Sequence, residues 1–198
     1  MKKNYYNKDY FEKRDHLDLH IAESIRLLAN SHQLKDILDV GCGTGRLVKF
    51  LNKAGFKALG CDPYAKIPRN KKFFRSSATK LPFKDSSFDL VMSISVIEHL
   101  TLKEAQKFIL EVKRVLKSVG FIFMITPNFS SPMRFILGKK WFGYSDPTHK
   151  YFFTPRTMKT LLESSGFTDV RFRIKTAYNV PFDWYLSKFT RSFPIWAK

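Results

Sequence analysis

One short run constrains this chain more than any other. Ile37-Leu38-Asp39-Val40 is apolar apart from its aspartate and is cut off by Gly41-Cys42-Gly43-Thr44-Gly45. Beyond it, Leu47, Phe50, Leu51 and Ala54 recur at helical spacing until Gly55. A buried strand, a glycine turn and an amphipathic helix, in that order, open a βαβ unit. A chain that starts this way builds a parallel sheet, because the helix must carry it back to the edge where the next strand begins.

The rest of the sequence continues the alternation. Strands are predicted at 58–61, 72–77, 88–95, 121–125 and 170–174. A helix with Leu17, Ile21, Ile25 and Leu28 inward is predicted over 17–29. Thr101-Leu102-Lys103-Glu104 has the form of a capping box. It heads a stripe of Ala105, Phe108, Ile109, Val112, Val115 and Leu116, with Gly120 past the end. Thr154-Pro155 starts another helix, with Met158, Leu161 and Leu162 inward and Gly166 as stop. The fold class expected is α/β: a Rossmann-like open, mostly parallel sheet of six to seven strands with helices on both faces. No linker or repeat divides the 198 residues, so one domain over 1–198 is expected. Residues 1–34 would be an N-terminal helical lid region. Residues 128–153, which fit no period, would be a connection on the acceptor side, where function often sits.

Composition narrows the partners. Hydrophobic content of 44% excludes a largely disordered chain. Lys and Arg number 35 against 17 Asp and Glu, a net charge of +18, which favours anionic partners: nucleic acid, acidic lipid or a charged small molecule. The plain alternative is a solubilising surface. Two cysteines, Cys42 and Cys61, make neither a disulfide framework nor a metal cluster, so a reducing, cytoplasmic setting is expected. No apolar stretch of about 18 residues occurs, so no transmembrane helix is expected. The charged start does not read as a secretory signal.

Open α/β sheets bind ligands beyond the carboxyl ends of their strands. The first candidate site is the glycine run. A G-x-G-x-x-G dinucleotide fingerprint would need glycine at 46, where Arg46 stands, and no Gly-Lys-Ser/Thr completes a phosphate loop. The second is Asp62-Pro63, 17 residues beyond Gly45 and at the end of the next strand. A carboxylate there accepts hydrogen bonds from a ribose diol, in dinucleotide enzymes as well. The third is Ser77-Ala78, ahead of Leu81-Pro82-Phe83 and the strand from Phe88. The fourth is Ser93-Ile94-Ser95 at that strand's end, followed by Glu98-His99.

These four blocks, in order and at this spacing, resemble the motifs of class I S-adenosylmethionine-dependent methyltransferases, in the small-molecule branch of methyltransferase types 11, 12 and 23. The resemblance covers about residues 35–175. It implies S-adenosylmethionine as cofactor, with S-adenosylhomocysteine as product. Asp39, Gly41, Cys42, Gly43 and Gly45 would hold the methionine portion, with Asp39 toward its cationic amino end. Asp62 and Pro63 would hold the ribose side, Ser77 and Ala78 would flank the adenine, and Ser93, Ile94 and Ser95 would lie near the methyl group. The family's usual residue before the alanine is aspartate. Ser77 departs from it, since a hydroxyl accepts a hydrogen bond more weakly than a carboxylate.

In quinone-pathway O-methyltransferases a further glutamate stands where this chain has Ser95, and the resulting cluster can hold a metal. Glu98 and His99 alone are too few ligands, so no metal is expected, and the pair is read as supporting the turn into the next helix. His149, within Asp146-Pro147-Thr148-His149, is the candidate general base, because an unperturbed histidine titrates near neutrality. The alternative is that it organises its loop through a backbone hydrogen bond. Tyr5, Tyr6 and Tyr10 form a lid or pack. Trp141, Phe142 and Tyr144 line an acceptor pocket or cover the sheet edge. The tail, 181–198, mixes aromatic and basic residues and suits either a membrane interface or a buried final helix and strand.

The expected function is methyl transfer to a small-molecule or lipid-like acceptor, anionic or membrane-associated, at oxygen. The alternatives are an RNA acceptor, a cofactor-binding protein without catalysis, and a nicotinamide oxidoreductase, which Arg46 disfavours. The location expected is cytoplasmic, with peripheral attachment to a membrane surface as a variant. The sequence leaves the oligomeric state open.

Overall fold

In a computed structural model of the chain, the described residues are 5–13, 15–64, 71–172 and 192–197. The helices are α1 (Lys8–Lys13), α2 (Leu19–Ser31), α3 (Arg46–Lys53), α4 (Leu102–Val115), α5 (Met133–Leu137), α6 (Phe142–Ser145) and α7 (Pro155–Ser164). The strands are β1 (Asp36–Val40), β2 (Lys57–Cys61), β3 (Phe73–Phe74), β4 (Phe88–Ile94), β5 (Leu116–Pro127), β6 (Arg171–Phe172) and β7 (Ser192–Ala197). Two compact units divide the chain: 1–92 with 114–121, and 93–113 with 122–198.

The first unit is built on β1. It pairs in parallel with β2, setting Leu38 opposite Leu59 and Asp39 opposite Gly60. β2 in turn pairs in parallel with β3, with Gly60 opposite Phe73. The crossover from β1 to β2 is α3, which buries Leu47, Val48 and Leu51. The amino ends of β1 and β4 are clamped together. Lys117 Nζ donates to Asp36 at 2.8 Å and to Asp89 at 2.8 Å, while Asp89 Oδ2 accepts the N–H groups of Lys35 and Asp36.

α2 starts two residues later than predicted, because the Asp18 side chain accepts the Ile21 N–H and caps the helix. Leu17 is therefore outside it, and of the predicted inward residues Ile25 is buried while Ile21 and Leu28 are half-buried, the rest of the buried stripe being Ala22 and Ala29. Both stripes satisfy helical spacing. Alanine at two of the three buried positions lets the helix lie close to its neighbours.

In the second unit the capping box forms as predicted. Thr101 N–H donates to Glu104 Oε2 at 2.8 Å, and the Thr101 hydroxyl accepts the Glu104 N–H at 3.3 Å. Ala105, Phe108, Ile109 and Val112 are fully buried along α4. α7 has a capping box of Thr154 with Thr157 and buries Met158, Leu161 and Leu162.

Leu116 is not helical. It opens β5, which begins directly after α4 and is longer than the predicted 121–125. The predicted third strand, 72–77, shrinks to two residues. Of the predicted 170–174 strand, Arg171–Phe172 is found and 173–174 lie outside the described residues. The connection after β5 is not plain loop, since it carries α5, a 3₁₀ turn at Gly138–Lys140 and α6.

The architecture is Rossmann-like α/β. It has five parallel strands, β3-β2-β1-β4-β5, with helices around them, where six to seven mostly parallel strands were expected. The remaining two do not extend the parallel run. β7 is antiparallel to β5, with Met124 opposite Ile195, and β6 is antiparallel to β7. Residues 181–191 of the tail lie outside the described residues, so a final helix there is not described, whereas the final strand is present. Among the described residues, no helix is long and apolar enough to cross a membrane.

Candidate functional site

The glycine run turns the chain sharply at the carboxyl end of β1. Gly45 is the position that only glycine satisfies. It caps α3 with φ of 76°, and a Cβ there would stand 2.4 Å from the buried Phe73 ring. Cys42 is fitted from the other side: a Cβ on Gly60 of β2 would lie 2.8 Å from its sulfur. Burial pushes both thiols up, Cys61 to about 12, so neither is a thiolate near neutrality.

Four of the five N–H groups in Gly41–Gly45 are already used. Those of Gly41 and Cys42 donate to Cys61 O, that of Gly45 donates to Cys42 O, and that of Gly43 donates to Asp62 Oδ2 at 3.2 Å. A phosphate-binding loop needs such donors pointing outward. Here the strand end offers carboxylates instead. Asp62 is held by Gly43 and, at Oδ1, by the Tyr64 N–H at 2.8 Å. Asp39 is 4% exposed. Burial, and then the neighbouring charge of Asp62, push its carboxyl up to about 7. Two acids at the ends of adjacent strands, one of them short of a counter-charge, suit a cationic ligand carrying hydroxyls and disfavour a pyrophosphate.

The other residues expected at this site in the first unit are also placed. Pro63 is half-buried, and its carbonyl accepts Arg75 Nε at 3.1 Å. Ala78 is buried. Ser77 is exposed and turned toward its own loop, with Oγ 2.9 Å from Thr79 Oγ1 and accepting the Thr79 N–H at 3.2 Å. Arg46, the residue that breaks the dinucleotide fingerprint, makes a two-pronged ion pair with Asp15, 2.6 Å at each prong. That bond holds the Asp15 carboxyl well below the usual range, with help from Thr44. Tyr6 stacks on Tyr64 at 4.5 Å and 7°, and Tyr5 and Tyr10 pack against Tyr6. The N-terminal segment is thus fastened beside both Asp62 and the glycine loop.

In the second unit, Ser93 is buried, and its Oγ has no hydrogen-bond partner among the described residues. Ile94 is half-buried. Ser95 is exposed with φ of 54°, and its N–H donates to Ile125 O. A 3₁₀ turn at Ile97–His99 follows. It buries Glu98, whose Oε2 accepts the Thr126 hydroxyl at 2.9 Å, and burial pushes the carboxyl up to about 7. The Glu98 carbonyl accepts the N–H groups of Lys150 and Tyr151, tying the long connection to this turn. The Glu98 and His99 side chains tie this turn to Thr126 and Thr148.

Thr148 Oγ1 donates to Asp146 Oδ1 at 2.6 Å and lies 2.8 Å from His99 Nδ1. Burial opposes ionisation of Asp146, but the Thr148 hydrogen bonds and the nearby histidines outweigh it and lower its pKa. An ionised Asp146 takes the single hydroxyl proton of Thr148, so His99 Nδ1 must be the donor to Thr148. His149 Nδ1 lies 2.6 Å from Gly143 O, which can only accept, so this nitrogen also carries its proton. The loop-organising hydrogen bond considered for His149 is therefore present. The two imidazoles meet at 4.8 Å between ring centres.

Convergence of His149 on Glu98-His99 is not visible in the sequence. The Asp146–His149 block hints that these residues matter but not what they face. Trp141 is 1% exposed and packs on Tyr144 at 5.0 Å, so it is a core residue of the connection. Tyr144, 39% exposed, also meets Phe152. The Phe142 side chain is outside the described residues.

Residues 38–124 match the family model of a methyltransferase domain. The chain is 38% identical over 90 residues to the "Probable tRNA methyltransferase 9B" of Mus musculus, covering 42% of this chain and 20% of that protein. It is 28% identical over 170 residues to the ubiquinone biosynthesis O-methyltransferase of Bartonella quintana, covering 77% of this chain and 68% of that protein. The chain spans about half or less of the length of the first curated relatives it matches. In fold it is similar to the crystal structure of a SAM-dependent methyltransferase from Archaeoglobus fulgidus, with a TM-score of 0.66 at 23% identity over 89% of this chain and 94% of that one. The family match thus begins within β1 and runs into β5, and over this stretch the chain is similar to methyltransferase domains.

Proposed function

We propose that this protein transfers a methyl group from S-adenosylmethionine to the oxygen of a small-molecule or lipid-like acceptor. The carrying observation is the pair of acids, Asp39 and Asp62, beside a glycine loop in which the N–H groups of Gly41, Cys42, Gly43 and Gly45 are already bonded within the protein. When bound, S-adenosylmethionine supplies an electrophilic methyl on a positively charged sulfur. Asp39 receives the cationic methionine amine, and its carboxylate form is favoured by that charge. Asp62 accepts the ribose hydroxyls, and Pro63 shapes its turn. Gly41, Cys42, Gly43 and Gly45 bring backbone close to the methionine portion. Ser77 and Ala78 flank the adenine, Ser93 to Ser95 lie on the methyl side, and the N-terminal segment closes as a lid.

On the acceptor side, the His149 proton sits on Nδ1, which leaves the Nε2 lone pair to take up a proton or an ion. The size of the connection, the aromatic residues Phe129, Tyr144 and Phe152, and the ubiquinone relative support a small organic acceptor.

RNA is the second reading. The net charge of +18 and the tRNA methyltransferase relative favour it. It predicts RNA binding that weakens steeply with salt. The deciding measurement is calorimetry with S-adenosylmethionine and with NAD. The former should bind with a dissociation constant on the order of micromolar. A signal with NAD and none with S-adenosylmethionine would overturn the proposal. A methyl-transfer screen over phenols, sugars, lipids and RNA then names the acceptor.

A further inference from the structure

Between Ser131 and Trp141, which are buried, residues 135–140 are all exposed. This excursion is the end of α5 and the 3₁₀ turn after it, and a Cβ on Gly138 at its apex would meet no other atom within 4 Å. Three consecutive large apolar side chains lie on it: Phe135 is 72% exposed, Ile136 70% and Leu137 41%. Among the described residues, other exposed apolar side chains such as Leu19, Leu110 and Val119 stand singly in sequence. Single exposures are ordinary, whereas a run of three facing water marks a contact surface. No residue of α5 takes part in the methyl-transfer proposal. We infer that this tip docks on an anionic lipid bilayer, with Phe135, Ile136 and Leu137 entering its apolar edge and Lys139 and Lys140 meeting its headgroups.

Charge selects the partner. Lys139 and Lys140 are exposed and have no ion-pair partner among the described residues. The chain has no Asp or Glu between Glu111 and Asp146, so nothing on this stretch repels an anionic surface. Basic side chains beside such a surface attract it electrostatically, and apolar side chains below the headgroups add a part that salt does not screen. The tip is also fastened at its base. Arg134 Cζ lies 4.2 Å from the centre of the Phe129 ring and 3.9 Å from that of Phe135, and Phe129 stacks on Phe152 at 5.1 Å. A tip already held in this way loses little conformational freedom on docking.

Other partners account for the tip less well. Ile136 and Leu137 have no ring to stack on a base and no polar group for a phosphate, so RNA would leave them unused. A stable protein interface takes about 20–30 residues a side, far more than this tip offers. A bilayer needs no matching shape, and a few apolar side chains flanked by basic ones suit reversible, peripheral binding to it.

The experiment is co-sedimentation of the full chain with vesicles of phosphatidylcholine, alone or mixed with phosphatidylglycerol. The mixed vesicles should carry the protein down and the neutral ones far less. Phe135→Ser combined with Ile136→Ser should weaken binding by about 30-fold or more, and Lys139→Gln combined with Lys140→Gln by about 10- to 30-fold. All four residues are exposed, so these variants should fold normally by circular dichroism. Leu110→Ser, at a comparably exposed apolar position on α4, should bind as the wild type does. Lipids brominated near the headgroup should quench the fluorescence of Phe135→Trp more than that of the wild type, which separates insertion from adsorption. Failure to sediment with the mixed vesicles would overturn the proposal. So would binding that survives the Phe135 and Ile136 changes, since it would then rest on the net charge alone. Self-association or RNA binding that these changes abolish, without vesicle binding, would give the tip to a second copy or to RNA instead. No S-adenosylmethionine is present in these measurements, so their outcome is independent of the methyl-transfer proposal.

Discussion

The glycine loop of the first unit and the histidine cluster of the second are built in opposite ways. At the loop, every contributing residue follows from one strand-turn-helix and the strand beside it: Asp39 to Gly45, then Asp62. Parallel register places their carboxyl ends side by side, with Val40 opposite Cys61. Four of the loop's five donors are met by the carbonyls of Cys61 and Cys42 and by Asp62, and the side chains at the strand ends are acids. At the cluster, Glu98 and His99 lie on a turn, while Thr126 and His149 reach it from the end of β5 and from the connection beyond. Its hydrogen bonds join residues that are distant in sequence. A site can therefore be local and rigid by backbone geometry, or assembled at a distance by side-chain hydrogen bonds, and the two should fail differently when cut.

The sharpest contrast should come from Gly45→Val. It puts a branched side chain at a positive φ and against Phe73, which should cost about 2–5 kcal/mol in urea unfolding. Stability within about 0.5 kcal/mol of wild type would mean that the loop is not backbone-determined. Asp62→Ala should leave the fold closer to wild type but weaken S-adenosylmethionine by about 1.5–3 kcal/mol, the scale of hydrogen bonds to a charged group. Equal affinity by calorimetry would remove Asp62 from the cofactor site.

Asp39 gives a pH signature. Its folded pKa of about 7 lies above the ordinary carboxylate value, so it binds a proton more readily folded than unfolded. Its contribution to stability is full below about pH 4 and is lost as pH rises toward 7. Cofactor binding needs the ionised form, so affinity should fall by up to about tenfold per pH unit below 7. Asp39→Asn should flatten both profiles, and a wild-type affinity independent of pH between 5 and 7 would contradict the assignment.

Thr126→Val acts on the other region. Removing the hydroxyl that serves buried Glu98 should cost about 1–2 kcal/mol in unfolding while leaving S-adenosylmethionine affinity unchanged. A loss of cofactor affinity with intact stability would erase the contrast between the regions. The smallest effect is expected from Ser77→Asp. Restoring the family's usual carboxylate should strengthen cofactor binding by about 1 kcal/mol. No gain would mean that the adenine is held without this position.

Much of this was legible beforehand. The Thr101–Glu104 capping box, the α3 and α7 stripes and the glycine turn all depend on residues within one or two helical turns of each other, where periodicity and capping chemistry act directly. Prediction failed where two local patterns were equally good, or where the partner lay elsewhere. α2 had two apolar stripes, and a capping hydrogen bond from Asp18 set its start. Leu116 continued the α4 stripe but belongs to β5, because pairing along the sheet claims it. The direction of the last strand, antiparallel to β5, depends on which edge remained open.

By itself, then, the sequence determined the α/β alternation, the loop at β1 and the acid after β2, because strand, turn and helix signals are short-range and parallel register carries them to one end of the sheet. Only the tertiary structure decided that four of the loop's donors would bond to Cys61, Cys42 and Asp62, that Arg46 would hold Asp15, and that His149 would meet Glu98 and His99. Those outcomes depend on which distant side chains the closed chain brings within hydrogen-bonding reach, and spacing along the sequence does not encode that distance.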